Sequence, residues 1–442
     1  MKSNIKIGDA LASISSLVSL IFLASSLRAA AGAPVSTAFG PGDIAALRVQ
    51  DNSGALTNIS AQLFLDEYTT NGMLVQTIPV PTNGVRSLVV SGFSVAEATL
   101  TLSPDGRWLG FTGYNAPVGV TNIPNSSSTQ YPRAIATMDV FGNFKIVSAS
   151  TNFFDGTNIR GTVSDGTNSF WAFGAISGTT IGGLDYYGFD AVPGLIYSQN
   201  LRVANIINSN LYVCTAAGFG IYKFAGTPKS PATPMQIIYS GNSPYGFAIN
   251  PSGNIAYIAD DDAPTIGGVQ RWTNAAGLPA SWTLVYTLQT GVTNSGARGL
   301  AVDWSGPNPV IYASTSVTTV YGSAGNRLLR FVDSGSASPA VTLAVAATNS
   351  SFRGVAFVPQ TIGPQSQIQA LTPSGANTWL YWQGAGGSNY VVQGATNLGA
   401  ASPFSDISPA ITLPGSGVVG TNYLDAGALS NWPVRFYRIR SD

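Results

Sequence analysis

Arginine recurs at one phase of a repeated segment in this chain. "RGTVSDGTNSFWAFGA" starts at Arg160, "RVANIINSNLYVCTAAG" at Arg202, "RGLAVDWSGPNPVIYAST" at Arg298 and "RGVAFVPQ" at Arg353. Two further copies, "ATLTLSPDGRWLGFTG" and "YGFAINPSGNIAYIADDD", start at Ala98 and Tyr245. A guanidinium presents a planar fork of donors that matches carboxylate, sulfate or phosphate. Four of them gathered at one opening repel each other unless an anion or facing carboxylates neutralise them. The pattern therefore supports two uses. The ring Arg160, Arg202, Tyr245, Arg298 and Arg353 binds an anionic ligand, or each arginine pairs with an acidic residue or a backbone carbonyl of its neighbour and fixes the spacing of the repeats. Asp155, Asp165, Asp185, Asp190 and Asp303 are numerous enough to serve as those partners.

Other candidate chemistry is sparse. Glu97, one of only two glutamates, directly precedes the first copy; it reads first as a salt-bridge partner for Arg353 or its neighbours and is the best single candidate for a general base. The run Asp260, Asp261, Asp262 offers enough carboxylate oxygen for Ca2+, although it lacks the spaced Asp/Asn pattern of a dedicated calcium loop and also reads as a solvated turn. The chain has no histidine and one cysteine. Ser/His/Asp and Cys/His nucleophile systems, His-rich zinc or iron sites and an intramolecular disulfide are thereby excluded. Cys214, in "NLYVCTAAG", reads as a small buried hydrophobe, and no cofactor other than Ca2+ is expected. Lys plus Arg and Asp plus Glu are both 20, which gives no electrostatic reason to bind nucleic acid or an acidic membrane.

The elements that position these residues are strands. Charged residues are 9 % of the chain, and Gly, Ser, Thr and Asn replace the Glu, Lys and Gln that coat helices, so an all-β protein is expected. Each repeat opens with a short strand and turns through Asp, Asn, Ser or Gly, which tolerate the backbone a hairpin requires. Successive starts lie 62, 42, 43, 53 and 55 residues apart, near the length of a four-stranded propeller blade. The copy at 353 has no blade after it, whereas "FGPGDIAALRVQD" looks like the turn and second strand of one. The expected closure takes the inner strand from residues 353–359 and the other three from 40–82, giving six blades; seven is the alternative, because the long gap from 98 to 160 has room for a degenerate one.

With these segments in view, "SPYGFAINPSGNIAYIADDDAPTIGGVQRW" resembles repeats of NHL-type and lactonase-like propellers, and "RGLAVDWSG" and "FRGVAFVP" are similar to the same repeat in secreted bacterial propellers. The resemblance covers roughly residues 40–360, within a propeller domain expected at 34–360, and leaves activity open, since such propellers include binders, scaffolds and enzymes. The lactonase-like enzymes use carboxylates and amides around a channel metal, or His and Glu; this chain lacks the residues to which their catalytic roles would transfer. After a linker at 361–367, residues 368–442 carry short alternating strands and resemble a fibronectin type III-like sandwich. There Trp379, Trp382, Tyr390 and Tyr437 read as packing residues in preference to a carbohydrate platform. Residues 1–33, with Lys2 and Lys6, an apolar stretch from Leu11 to Leu23 and small residues at Ala29, Ala31 and Ala33, read as a cleaved secretory signal. The expectation is a secreted, monomeric, non-catalytic propeller without a membrane span, binding an extracellular glycan or protein ligand, with an acidic glycan foremost. The alternatives are a Ca2+-dependent hydrolase or lyase and a structural matrix protein.

Overall fold

The computed structural model describes residues 37–441 apart from 51–53, 177–181, 189–192, 217, 219, 242, 263–266, 276–280, 317–324, 361–365, 386–387, 398–403 and 415–417. The secretory signal expected at 1–33 and Asp190 lie outside the described residues.

Six antiparallel four-stranded sheets form the blades of a propeller. In chain order, blade 1 is built from Thr101–Leu102, Leu109–Tyr114, Arg133–Met138 and Phe144–Ser150. Blade 2 runs from Ile159–Ser164 to Gly194–Tyr197, blade 3 from Leu201–Ile207 to Met235–Tyr239, blade 4 from Pro244–Ile249 to Thr283–Leu288, and blade 5 from Ala297–Asp303 to Val341–Val345. Blade 6 closes the ring: its inner strand is Ser351–Phe357, and its other three strands, Ile44–Val49, Ser60–Tyr68 and Leu74–Pro79, come from the start of the described chain. This is the closure expected from the repeat spacing. It ties the two ends of the propeller into one hydrogen-bonded sheet and leaves no open edge between first and last blades. A short extra strand, Val89–Ser91, pairs with both Ser60–Tyr68 and Leu109–Tyr114 and stitches blade 6 to blade 1. The surplus length between 98 and 160 is the connection between the second and third strands of blade 1, residues 115–132, and holds no seventh sheet.

Burial follows from this arrangement. A blade packs on both faces, so its middle strands are apolar or small throughout, as in Ser169–Gly174 (SFWAFG), where every residue is buried. Outermost strands have neither cover, and Leu74–Pro79 exposes all but one or two of its side chains. The core is correspondingly a series of clusters between adjacent blades; that between blades 3 and 4 holds Val203, Cys214, Ile221, Phe247, Ile258 and Trp272. Cys214 is fully buried, its thiol pushed up to about 12 by loss of water, which makes it inert.

Residues beyond the propeller form two further sheets. One pairs Gln367–Ser374, Asn377–Ala385 and Val418–Asp425; the other centres on Asn389–Ala395, flanked by Ser405–Asp406, Ile411–Thr412 and Phe436–Ser441. Trp382, Tyr390 and Leu413 make the core, with the two rings edge-on at 5.0 Å. Among the described residues no helix is long and apolar enough to cross a membrane.

Candidate functional site

The start of each inner strand reaches one mouth of the central channel. Ala98, Tyr245, Arg298 and Arg353 line a cavity of about 40 Å³ there, together with Glu97; Arg160 and Arg202, expected in the same ring, are not among its lining residues, and Arg202 meets it only through the Tyr245 ring that it covers. The volume admits a water or two, or a single small acidic group, and no more. The other end of the channel is a wider opening of about 190 Å³ whose side chains are mainly apolar, among them Leu102, Ile207, Ile249, Val302 and Phe357. Of the two linings, only the one at the inner-strand starts carries charged side chains among the described residues.

Glycines make the convergence possible. Gly161, Gly246, Gly299 and Gly354 each follow a ring residue; a Cβ on Gly246, Gly299 or Gly354 would collide with the next blade, standing 2.6 Å from Arg298 O, 2.3 Å from Arg353 O and 2.3 Å from Leu100 N respectively, while one on Gly161 would meet Phe173 of its own blade and Thr99 of the blade before. The recurring "RG" and "YG" pairs are thus one device, a long polar side chain followed by a residue that lets inner strands approach.

The four arginines are held differently. Arg353 is buried, and its guanidinium donates to the carbonyls of Ser91 (3.1 Å), Gly92 (2.7 Å) and Ser94 (2.7 Å) on the segment leading into blade 1. Burial pulls it down to about 10, against the raising effect of Glu97, and it stays charged at neutral pH. Arg298 reaches back to blade 4 and sets Nε and Nη2 on Asp261 Oδ2 at 2.8 and 2.7 Å. Arg160 gives Nη1 to Asn200 Oδ1 (2.6 Å) and Leu201 O (2.7 Å); burial lowers its proton affinity, and so does Arg202 nearby. Arg202 gives Nη1 to Ser243 Oγ (2.7 Å) and Pro244 O (3.2 Å), and no other nitrogen of it makes a hydrogen bond among the described residues. Tyr245 stands on the blade between Arg202 and Arg298, and both guanidiniums lie over its ring, at 4.4 and 5.2 Å from the centroid.

Among the described residues, none of the aspartates expected to pair with the ring does so. Asp155 accepts from Ser127 and Ser128 and ties its segment to the 115–132 connection of blade 1, while Asp165 accepts from Thr167 and Asp303 from the Ser305 amide, each closing its own turn. Asp185 is fully buried between blades 1 and 2 with neither oxygen hydrogen-bonded, and loss of water raises it to about 8. The acid that does pair is Asp261, from the run considered for Ca2+. That run does not converge: Asp260 is buried, receives the amides of Ser243 and Asp262 and the Gln270 side chain, and is raised to about 6 chiefly by burial. Asp261 is spent on Arg298, and Asp262 faces solvent. Among the described residues no group of three acidic, histidine or cysteine side chains is placed to hold a metal.

Glu97 is buried against the mouth with both oxygens engaged: Ser91 N donates to Oε2 at 2.8 Å, Tyr114 Oη and Asn158 Nδ2 to Oε1 at 2.8 and 2.5 Å. It feels Arg353 electrostatically, while its direct partners are neutral. Burial raises it and these donors oppose the rise. The contacts share a phase. Asn158, Asn200 and Ser243 all stand two residues before the ring position of their blade, and each meets the side chain of the preceding blade. The aligned repeats contain that column, and it was the signal that would have found these partners.

No protein-family model matches the sequence, and no curated protein is detectably similar to it. Similar solved structures include the GH74 enzyme of Niastella koreensis, at 13 % identity over 90 % of this chain and 66 % of that one (TM-score 0.39). A gluconolactonase of Xanthomonas campestris is 11 % identical over 66 % of this chain and 85 % of its own (TM-score 0.35). A chain of a nidogen/laminin complex is 9 % identical over 71 % and 98 % (TM-score 0.41). The assignment as a propeller rests on the six sheets themselves.

Proposed function

We propose that this chain is a secreted binding protein that receives an acidic group of an extracellular ligand, foremost an acidic glycan, at the channel mouth. The observation that carries the reading is the state of Arg202. Arg298 has a carboxylate partner and Arg353 a cage of carbonyls, whereas Arg202 and Arg160 face neutral acceptors only, so the mouth keeps positive charge that an anion would neutralise. Arg202 also retains Nε and Nη2, the edge that binds a carboxylate in bidentate fashion. The 40 Å³ cavity is lined by Tyr245, Arg298 and Arg353 and not by Arg202, which stands beside it over the Tyr245 ring; the acidic group alone is received at this edge, and the remainder of the ligand stays on the face above. A binding role is favoured over a hydrolytic one because Glu97, the candidate base, already accepts three hydrogen bonds.

Calorimetric titration of residues 34–442 with oligogalacturonate, a sulfated oligosaccharide and a neutral oligosaccharide, at low and moderate salt, tests this. Binding to an acidic member that weakens with salt supports the reading. Binding that ignores charge and salt, or none to any acidic member, overturns it.

A further inference from the structure

The C-terminal sandwich divides its aromatic residues between two faces. Leu380 and Trp382 point into the core; Trp379 and Tyr381, which alternate with them on Asn377–Ala385, lie on the opposite face of the sheet. There the two rings form a tilted pair, 6.4 Å between centroids and 35° between planes, with Tyr381 40 % exposed. Register places Thr372 beside Trp379 and Ala370 beside Tyr381 on one flanking strand, and Leu424 and Asn422 beside them on the other; Gln383 continues the row. No charged residue occurs at these positions.

We propose that this face is a second binding surface, independent of the channel mouth, for a neutral polysaccharide chain. Two aromatic rings in file along a strand, inclined to each other, Tyr381 exposed and Trp379 half-buried beside it, offer apolar surface to the C–H faces of successive sugar rings. Thr372, Gln383 and Asn422 flank them with hydroxyl and amide groups that both donate and accept, matching hydroxyls at the sugar edges. The lack of charge selects against an acidic or basic partner, which would forfeit its hydration here without gaining a counter-charge. The sheet is open on this side, so a long chain can lie across it without its ends having to enter a pocket.

The test uses the full mature chain. Depletion onto insoluble cellulose, chitin and neutral xylan is measured for the wild type, for the W379A/Y381A variant and for R202Q, each at low salt and in 0.5 M NaCl, about where charge attraction is screened within a few ångströms. Expected is binding to at least one of the three that persists in salt, survives R202Q and falls ten-fold or more in W379A/Y381A. If the double variant fails to fold, Y381A alone, changed at an exposed position, is read for a several-fold loss, and W379F is expected to retain binding. Absence of binding to all three, equal binding by the aromatic variants, or loss in R202Q overturns the proposal. Loss in R202Q would return all binding to the channel mouth, whereas failure of acidic ligands at the mouth leaves this surface unaffected.

Discussion

The two sides of the arginine ring use the same side chain for opposite purposes. Arg298 and Arg353 are built into the wall: one is locked onto Asp261, the other donates three hydrogen bonds to the segment entering blade 1. Arg160 and Arg202 lean on the next blade through one nitrogen each and find only neutral oxygens. In Arg353 both terminal nitrogens are met by carbonyls and only the buried Nε is left without a partner. A guanidinium left with spare donors beside a channel is positioned to bind something else. The same residue type at the same phase of a repeat therefore does not imply the same role; the partners decide.

Breaking the built-in side should have the largest effect. Arg353→Ala leaves three carbonyls, two of them buried, without this donor and removes the charge facing Glu97 across the junction of blades 6 and 1. A loss of about 3–5 kcal/mol is expected in urea unfolding. A loss under about 1 kcal/mol would show that the junction is held by its strands alone. Gly299→Ala probes the close approach itself, since its Cβ would stand 2.3 Å from Arg353 O. It is expected to cost about 1–3 kcal/mol and to weaken ligand binding by displacing both Arg298 and Arg353.

Carboxylates divide as the arginines do, and pH separates them. Asp185, buried without a partner, holds its proton up to about 8, whereas in the unfolded chain it loses it near the ordinary value of 3.8. Between these values the folded state binds the extra proton, so stability falls as pH rises through that window. Asp260, raised to about 6, adds to the lower part of the same fall. Asp185→Asn should flatten the decline between pH 4 and 8 and raise the melting temperature at pH 8 relative to the wild type. An unchanged pH profile would mean that Asp185 is charged and partnered in solution.

Much of the fold was legible because the chain repeats. Strand starts at 98, 160, 202, 245, 298 and 353 mark the inner strands to within a few residues, and the unmatched copy at 353 beside the lone strand after Pro41 is the signature of closure. The ring residues could be named because equivalent positions of a repeat occupy equivalent places. Their partners could not be named from composition: Asp185, Asp155 and Asp303 are the right type in the wrong place, and Asp261 was masked by two neighbours of the same kind. Which partner a long side chain finds depends on the offset between adjacent blades. That offset surfaces in the sequence only as the column Asn158, Asn200, Ser243 and the glycines that follow the ring. In the C-terminal module, alternation along "TWLYWQG" separates Trp379 from Trp382, yet which face is solvent depends on the second sheet. Four aromatics read together as packing residues are thus divided by the fold.

The most direct test compares Arg202→Gln with Arg298→Gln in affinity for the best acidic oligosaccharide and in thermal stability. Arg202→Gln is expected to weaken binding roughly ten-fold to a hundred-fold, the loss of a charge-assisted pair, with little change in melting. Arg298→Gln, which strands Asp261, should lower the melting temperature more than it lowers affinity. Equal affinities for Arg202→Gln and wild type, or a loss in Arg202→Gln explained by unfolding, would contradict the claim that the channel mouth carries a free anion-binding arginine.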